Sequence, residues 1–146
     1  IFAARRLVER FVIEQLCESI DADQLRELRE IMKQERDSYR AGDMHAGIKL
    51  STDFHVQLAQ CAGNAVLTEF LQQLVVRTPL IFLAHGDPGE SVSCSDREHA
   101  QIVAAVIAGD RDRAVAAMLD HLDHLESHVV QAEREKPTDL AQLLGL

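Results

Sequence analysis

Several residue types that identify common protein classes are scarce in this chain. It has no tryptophan, one tyrosine and three prolines in 146 residues. There is no apolar run of about 18 residues, so no membrane span is expected, and no cleavable leader is recognised. The three cysteines, Cys17, Cys61 and Cys94, are far apart and form no CxxC motif. We therefore expect free thiols in a reducing cytoplasm rather than a disulfide scaffold.

Positive charge is also scarce. The chain has 15 Lys and Arg residues and 24 Asp and Glu residues, which gives a formal net charge of −9. An acidic surface repels phosphate backbones, and no basic cluster is interleaved with aromatic residues, so this segment is not expected to bind nucleic acid itself. Glycine-rich phosphate loops, Ser-His-Asp orders and HExxH motifs are missing too. Enzyme activity is therefore not expected.

What the chain does contain is helical pattern from end to end, and no strand-like alternation. Short connections favour an all-α antiparallel bundle of about six or seven helices. Pro79 should kink or end the fourth helix, and the stretch 85–90 should be a loop. The predicted helices are 2–19, a second from a cap at Asp21 or Asp23 to 40, a third from a cap at Asp43 to 61, then 65–78, 95–108 and 110–135, followed by a tail or short helix at 136–146.

Three histidines on three predicted helices stand out. At about 100° per residue, His55 and His99 fall within the apolar stripes of their helices, and His121 falls on the flank of its stripe. A buried imidazole requires a hydrogen-bond partner or a metal, and three neutral rings suit Zn, Ni, Cu, Co or Fe. The alternative is that each is a hydrogen-bonded core residue, and spacing alone leaves both interpretations open.

The residues around His55 affect the choice of a fourth ligand. Ser51 lies four residues before His55 and shares its face, whereas Asp53 points to the opposite side and should be in water. Three protein nitrogens by themselves would leave open positions for water or an anion.

Two arginines fall near the predicted core. Arg5 lies on the apolar side of the first helix, and Arg77 lies beside Phe70 on the fourth. A buried guanidinium requires an anion and suits a carboxylate. Arg5 could instead pair with Glu9, four residues on, and Arg77 could be an ordinary surface residue.

The order of these motifs resembles one known family. Gly42-Asp43, Phe54-His55, Gly63-Asn64, Glu98-His99, Gly109-Asp110 and His121-Leu122 are similar to the FCD domain, as is Arg5 with Glu9. This is the C-terminal effector-binding domain of the FadR subfamily of GntR transcriptional regulators. The resemblance covers about residues 2–130.

The resemblance implies a dimeric helical bundle, here residues 1–135, that follows an N-terminal winged helix-turn-helix domain absent from this chain. In many members, one Asp and three His bind a divalent metal that holds a small carboxylate. The histidines correspond to His55, His99 and His121, with Zn or Ni as the expected metal. Arg5, Ser51 and Arg77 are the expected effector-binding residues.

Ser51 stands where the family has aspartate. Three interpretations follow: a three-histidine site completed by water or effector, a weak site in which Ser51 bonds a water or effector oxygen, or a polar pocket without metal. We favour the first.

The predicted function is effector sensing and dimerisation for a cytoplasmic transcription regulator that binds a small organic acid and reaches DNA only through the missing domain. Leu7 and Phe11 form a second apolar patch on the first helix, suited to a partner subunit or to that domain. The competing functions are a helical interaction module with structural histidines and a metal-dependent hydrolase.

Overall fold

The computed structural model describes the backbone of residues 1–85 and 95–135 and the side chains of 1–81 and 95–130. All regular secondary structure in that part of the chain is helical, which confirms the predicted all-α class. The tail predicted at 136–146, most of the predicted loop after 85, and Cys94 lie outside the described residues. The helices are α1 (Phe2–Ser19), α2 (Ala22–Arg40), α3 (Met44–Cys61), α4 (Ala65–Val75), α5 (Thr78–His85), α6 (Ser95–Ile107) and α7 (Arg111–Glu135).

The helix starts follow from short polar side chains that accept a backbone N–H. Asp21, rather than Asp23, caps α2 and forms a capping box with Gln24. Asp43 and Asn64 cap α3 and α4 by accepting the backbone N–H of Ala46 and of Leu67. Just before the last two caps, Gly42 and Gly63 adopt a φ of +77°, a conformation that glycine takes without steric cost. These glycines let α2 and α3 end sharply.

Pro79 acts differently from the expectation. The predicted fourth helix ends at Val75, and a separate helix, α5, begins at Thr78 with Pro79 in its first turn. Proline is tolerated there because its missing N–H would have no intrahelical partner. Helix α5 extends through His85, which had been predicted to begin the loop.

The core lies where α1, α3, α6 and α7 meet. Helix α2 packs along α3, α6 packs along α7, and α1 lies against α3, α4 and α7. The central apolar side chains are nearly or completely buried: Val12, Ile13, Leu16, Phe54, Leu58, Ile102, Val106, Met118 and Leu122. No helix among the described residues is long and apolar enough to cross a membrane.

Helix α2 lies on the outside of the bundle but sends polar groups inwards. Its two fully buried residues are Leu28 and Glu35. The Tyr39 ring crosses close to Gly47 of α3, where an added Cβ would lie 2.0 Å from a ring carbon. Only glycine fits at position 47 without moving Tyr39, and this close approach presses α2 against α3 next to the polar cluster described below.

Candidate metal centre

The three predicted histidines converge in the core. His55 of α3, His99 of α6 and His121 of α7 are 2%, 0% and 0% exposed. One ring nitrogen of each lies within 4.8 Å of the others, and His55 Nε2 is 3.2 Å from His121 Nε2. Among the described residues this is the one group of three or more side chains with metal-ligand spacing. His121, predicted on the flank of its helix, is as buried as His99.

Each histidine has its own carboxylate partner on Nδ1. His55 Nδ1 lies 2.5 Å from Glu9 Oε2, His99 Nδ1 lies 2.9 Å from Glu35 Oε2, and His121 Nδ1 lies 2.6 Å from Glu98 Oε2. An ionised carboxylate only accepts hydrogen bonds, so the ring nitrogen is the donor in each pair. The proton of a neutral ring is thereby fixed on Nδ1, and Nε2 keeps its lone pair.

The pKa shifts support ionised carboxylates and neutral His55 and His121 rings. Burial by itself would raise the pKa of Glu9, but the charge of Arg5 and the hydrogen bond from His55 outweigh it and lower the pKa to about 2. The pKa of Glu35 is also lowered, because electrostatic interaction with His99 and hydrogen bonds from His99 and Ser95 outweigh burial. The pKa of Glu98 is lowered because the hydrogen bond from His121 and its electrostatic interaction with that ring outweigh burial. Burial lowers the pKa of His55 to about 4 and of His121 to about 3, against the pull of their glutamates.

The inner Nε2 atoms are left without donors. The lone pairs of His55 and His121 face each other, and His99 Nε2 is buried with no hydrogen-bond partner. A buried acceptor without a partner costs about 1–3 kcal/mol. Two nitrogens bound to one Zn²⁺ at the usual bond length lie about 2.9–3.4 Å apart, a range that includes the 3.2 Å separation. The His55 and His121 pair therefore fits a transition metal bound through Nε2, and a ring nitrogen of His99 lies within 4.8 Å of theirs.

The charges around the cluster favour a divalent cation. Glu9, Glu35 and Glu98 place three carboxylates around the rings, while Arg5 is the one Lys or Arg paired with any of them among the described residues. Two negative charges therefore have no guanidinium or ammonium partner. Carboxylate partners on the outer nitrogens of metal-binding histidines also fix their tautomer and orientation.

Arg5 joins the cluster at the Glu9 side and is 2% exposed. Its Nε donates to Glu9 Oε1 at 2.7 Å, which confirms the predicted alternative that Arg5 pairs with Glu9. Its Nη1 donates to Thr78 Oγ1 at 3.1 Å. The Nη2 atom is buried with no partner. Arg5 thus holds Glu9 in place and retains one donor for an additional oxygen.

The remaining predicted residues are placed apart from one another. Ser51 is half-buried one turn before His55, on the side of Tyr39 and Ser95. Arg77 is exposed between α4 and α5, and it is the adjacent Thr78 that contacts Arg5. Asp53 pairs with Lys49 and is 41% exposed, which confirms that it points away from the histidines.

Sequence reasoning missed Glu35 and assigned Glu98 no role beyond its place in the Glu98-His99 motif. Glu35 lies seven residues after Leu28 and therefore on the same inward face of α2, a signal that was present in the sequence. Its oxygens accept from His99 and from Ser95 Oγ at 2.6 Å. Both Glu98 oxygens accept hydrogen bonds from histidines, one from His121 and one from His124.

Comparisons with known proteins agree with the fold. The family model described as the FCD domain matches residues 1–124. Among solved structures, E. coli McbR/YncC is similar with a TM-score of 0.77 and 19% identity over 88% of this chain and 65% of that one. Streptococcus agalactiae GntR is similar with a TM-score of 0.74 and 27% identity over 86% of this chain and 56% of that one. The chain therefore spans less than two thirds of the length of either structure. Comparison with curated proteins gives no match.

Proposed function

Since this chain belongs to the FCD domain family, we propose that it is the effector-sensing and dimerisation domain of a GntR-type transcription regulator. The effector is a small organic acid bound at a divalent metal in the bundle core. The observation that carries the proposal is the convergence of one ring nitrogen from each of three buried histidines, with His55 and His121 Nε2 3.2 Å apart and His99 Nε2 buried without a hydrogen-bond partner. Zn²⁺ and Ni²⁺ are the preferred ions because both accept imidazole ligands.

His55, His99 and His121 would hold the ion, and their three glutamate partners fix the rings in the required tautomer. The bound ion would supply a Lewis-acidic anchor for a carboxylate oxygen. Three protein ligands leave at least one coordination position for that oxygen, since Ser51 adds no carboxylate where the family has aspartate.

The chain's own polar groups complete recognition of the acid. Arg5 has a buried Nη2 donor without a partner, which suits a second effector oxygen. The Tyr39 hydroxyl oxygen is buried, and no well-formed hydrogen bond reaches it. Burial raises the pKa of Tyr39, and the neighbouring Ser95 and Ser51 hydroxyls partly oppose that rise. We assign the Tyr39 hydroxyl, on the α2–α3 side of the cluster, to recognition of the part of the acid that does not contact the metal or Arg5.

Signal transmission follows from where the ligands sit. The three histidines belong to three helices, and their glutamates bring in α1 and α2 as well. A ligand that binds one arrangement of these helices better than another shifts the population towards it, with a coupling of about 1–3 kcal/mol. In the full regulator that shift would reposition the DNA-binding domains.

Calorimetry with a panel of small mono- and dicarboxylates tests the proposed function. We expect at least one acid to bind the zinc- or nickel-loaded chain and to bind at least about tenfold more weakly, a difference of about 1.4 kcal/mol, after chelator treatment. Amides of the same size provide matched controls, because they lack the charge that Arg5 and the ion recognise. Equal binding with and without chelator, or binding of no acid to the loaded chain, would contradict the proposal.

Dimerisation is proposed to use the outer face of α1. Leu7 is 76% exposed and Phe11, one turn later, is 41% exposed, so together they form an apolar patch on this face. We expect Leu7→Glu to weaken self-association at least about tenfold, because it places a charge in an apolar contact. Ile107→Glu, at another exposed apolar position, is the control and should self-associate like the unchanged chain. Sedimentation equilibrium measures both, and a monomeric unchanged chain would exclude this interface.

A further inference from the structure

A second histidine pair lies outside the core cluster on α7. His124 and His128 are one turn apart, with their Nε2 atoms separated by 3.0 Å. The His124 side chain is 36% exposed and His128 is half-buried, in contrast to the fully buried His121. Within the part of the chain that the structure describes, this pair is thus more exposed than the core cluster.

Glu98 connects the pair to the core. One of its oxygens accepts from His121 Nδ1 and the other from His124 Nδ1, each at 2.6 Å. As in the core, an ionised carboxylate on Nδ1 fixes the proton there and leaves the Nε2 lone pair of neutral His124 pointing at His128. The same side chain thus orients one ring of the buried cluster and one ring of the outer pair.

The separation of the outer pair suits coordination of a single ion. Adjacent imidazole ligands on a transition metal lie about 2.9–3.4 Å apart, a range that includes the 3.0 Å found here. Histidines at i and i+4 are neighbours on one face of a helix, so both rings reach the same point with little rearrangement. The other explanation of the short contact is a hydrogen bond in which one Nε2–H donates to the other ring.

We propose that His124 and His128 form a second transition-metal site, with Glu98 as the residue that orients His124. The site takes a divalent ion that favours imidazole, such as Ni²⁺, Cu²⁺ or Zn²⁺, and water completes its coordination. It is separate from the core site and does not depend on the proposed effector function. The site is more exposed than the core site, and Glu98 lies between His124 and the core ring His121.

Equilibrium dialysis of the full 146-residue chain against Ni²⁺ tests the proposal. We expect two ions per chain for the unchanged protein and one for His128→Gln, which removes an outer ligand and leaves the Glu98 contacts in place. His99→Gln should retain the outer ion and lose the core ion. His45→Gln, at an exposed histidine on α3, is the control and should still bind two ions. Circular dichroism establishes that each variant is folded.

The variants separate this proposal from the core site. One ion that is lost in His128→Gln and kept in His99→Gln supports the outer site and contradicts the core site. An unchanged ion count in His128→Gln, or no bound nickel in the unchanged chain, overturns the outer site. Glu98→Ala provides a second measurement: it should weaken both sites by about 10–100-fold, because both lose the carboxylate oxygen that orients a ligand. Weakening confined to the core would also contradict the proposal.

Discussion

Replacing His99 with glutamine is expected to remove most of the stability that the domain gains from metal. His99 is completely buried, its Nδ1 is held by Glu35, and its Nε2 has no other partner. Loss of a direct ligand should cost more affinity than the about 10–100-fold that follows loss of an orienting partner. At a Zn²⁺ concentration 100 times the dissociation constant, the unchanged chain gains about 2.7 kcal/mol of unfolding free energy, and a variant that binds 100-fold more weakly gains about 0.4 kcal/mol.

Urea unfolding of each protein with chelator and with Zn²⁺ measures these gains. The difference between the two conditions is the relevant quantity, because His99→Gln also loses the stacking of this ring on Phe54 at 4.0 Å. His45→Gln, an exposed change on α3, should gain as much as the unchanged chain. If His99→Gln gains as much as its parent, the stabilising ion binds elsewhere.

Replacing Arg5 with methionine is expected to cost about 3–5 kcal/mol, because it leaves the buried Glu9 carboxylate without its cation. Arg5 and Glu9 are 2% and 1% exposed and lie 2.7 Å apart. The unpaired charge would then depend on the hydrogen bond from neutral His55 alone. Methionine retains much of the length and apolar character of the arginine stem, so the charge is the main change.

Arg10→Met provides a matched control on the same helix. Arg10 also pairs with a glutamate four residues on, Glu14, but its side chain is 59% exposed. Its loss should change the unfolding free energy by less than about 1 kcal/mol. The double change Arg5→Met with Glu9→Gln should recover part of the loss, since the buried charge is removed as well. Equal costs for Arg5→Met and Arg10→Met in urea unfolding would refute the buried-pair interpretation.

Local rules account for most of the fold. The predicted cap at Asp43 is confirmed, and Asp21 is the one of the two predicted candidates that caps the second helix, because a short side chain that satisfies a backbone N–H acts within a few residues and requires no distant partner. Pro79 shows the limit of such rules. Proline ends a helix or occupies the first turn of the next one, and packing of the flanking segments decides between these outcomes.

The candidate metal centre was likewise predicted in part by local pattern and in part decided by tertiary packing. Helical periodicity by itself determined that His55 and His99 face the core and that Asp53 does not, since the face of a residue is fixed by its position on its own helix. It did not determine the burial of His121, because a flank becomes buried only when neighbouring helices cover it. In this bundle α7 packs between α1 and α6.

The carboxylate partners depend on tertiary structure as well. Glu9 and His55 are 46 residues apart, and Glu35 and His99 are 64 apart. No local pattern specifies which carboxylate meets which ring, or that Thr78 rather than Arg77 reaches Arg5. The sequence alone thus determined the helices and the inward direction of two histidines. Only the packing of the helices paired each ring with a glutamate and brought one nitrogen of each ring within 4.8 Å of the others, because those contacts join residues that only the folded chain brings together.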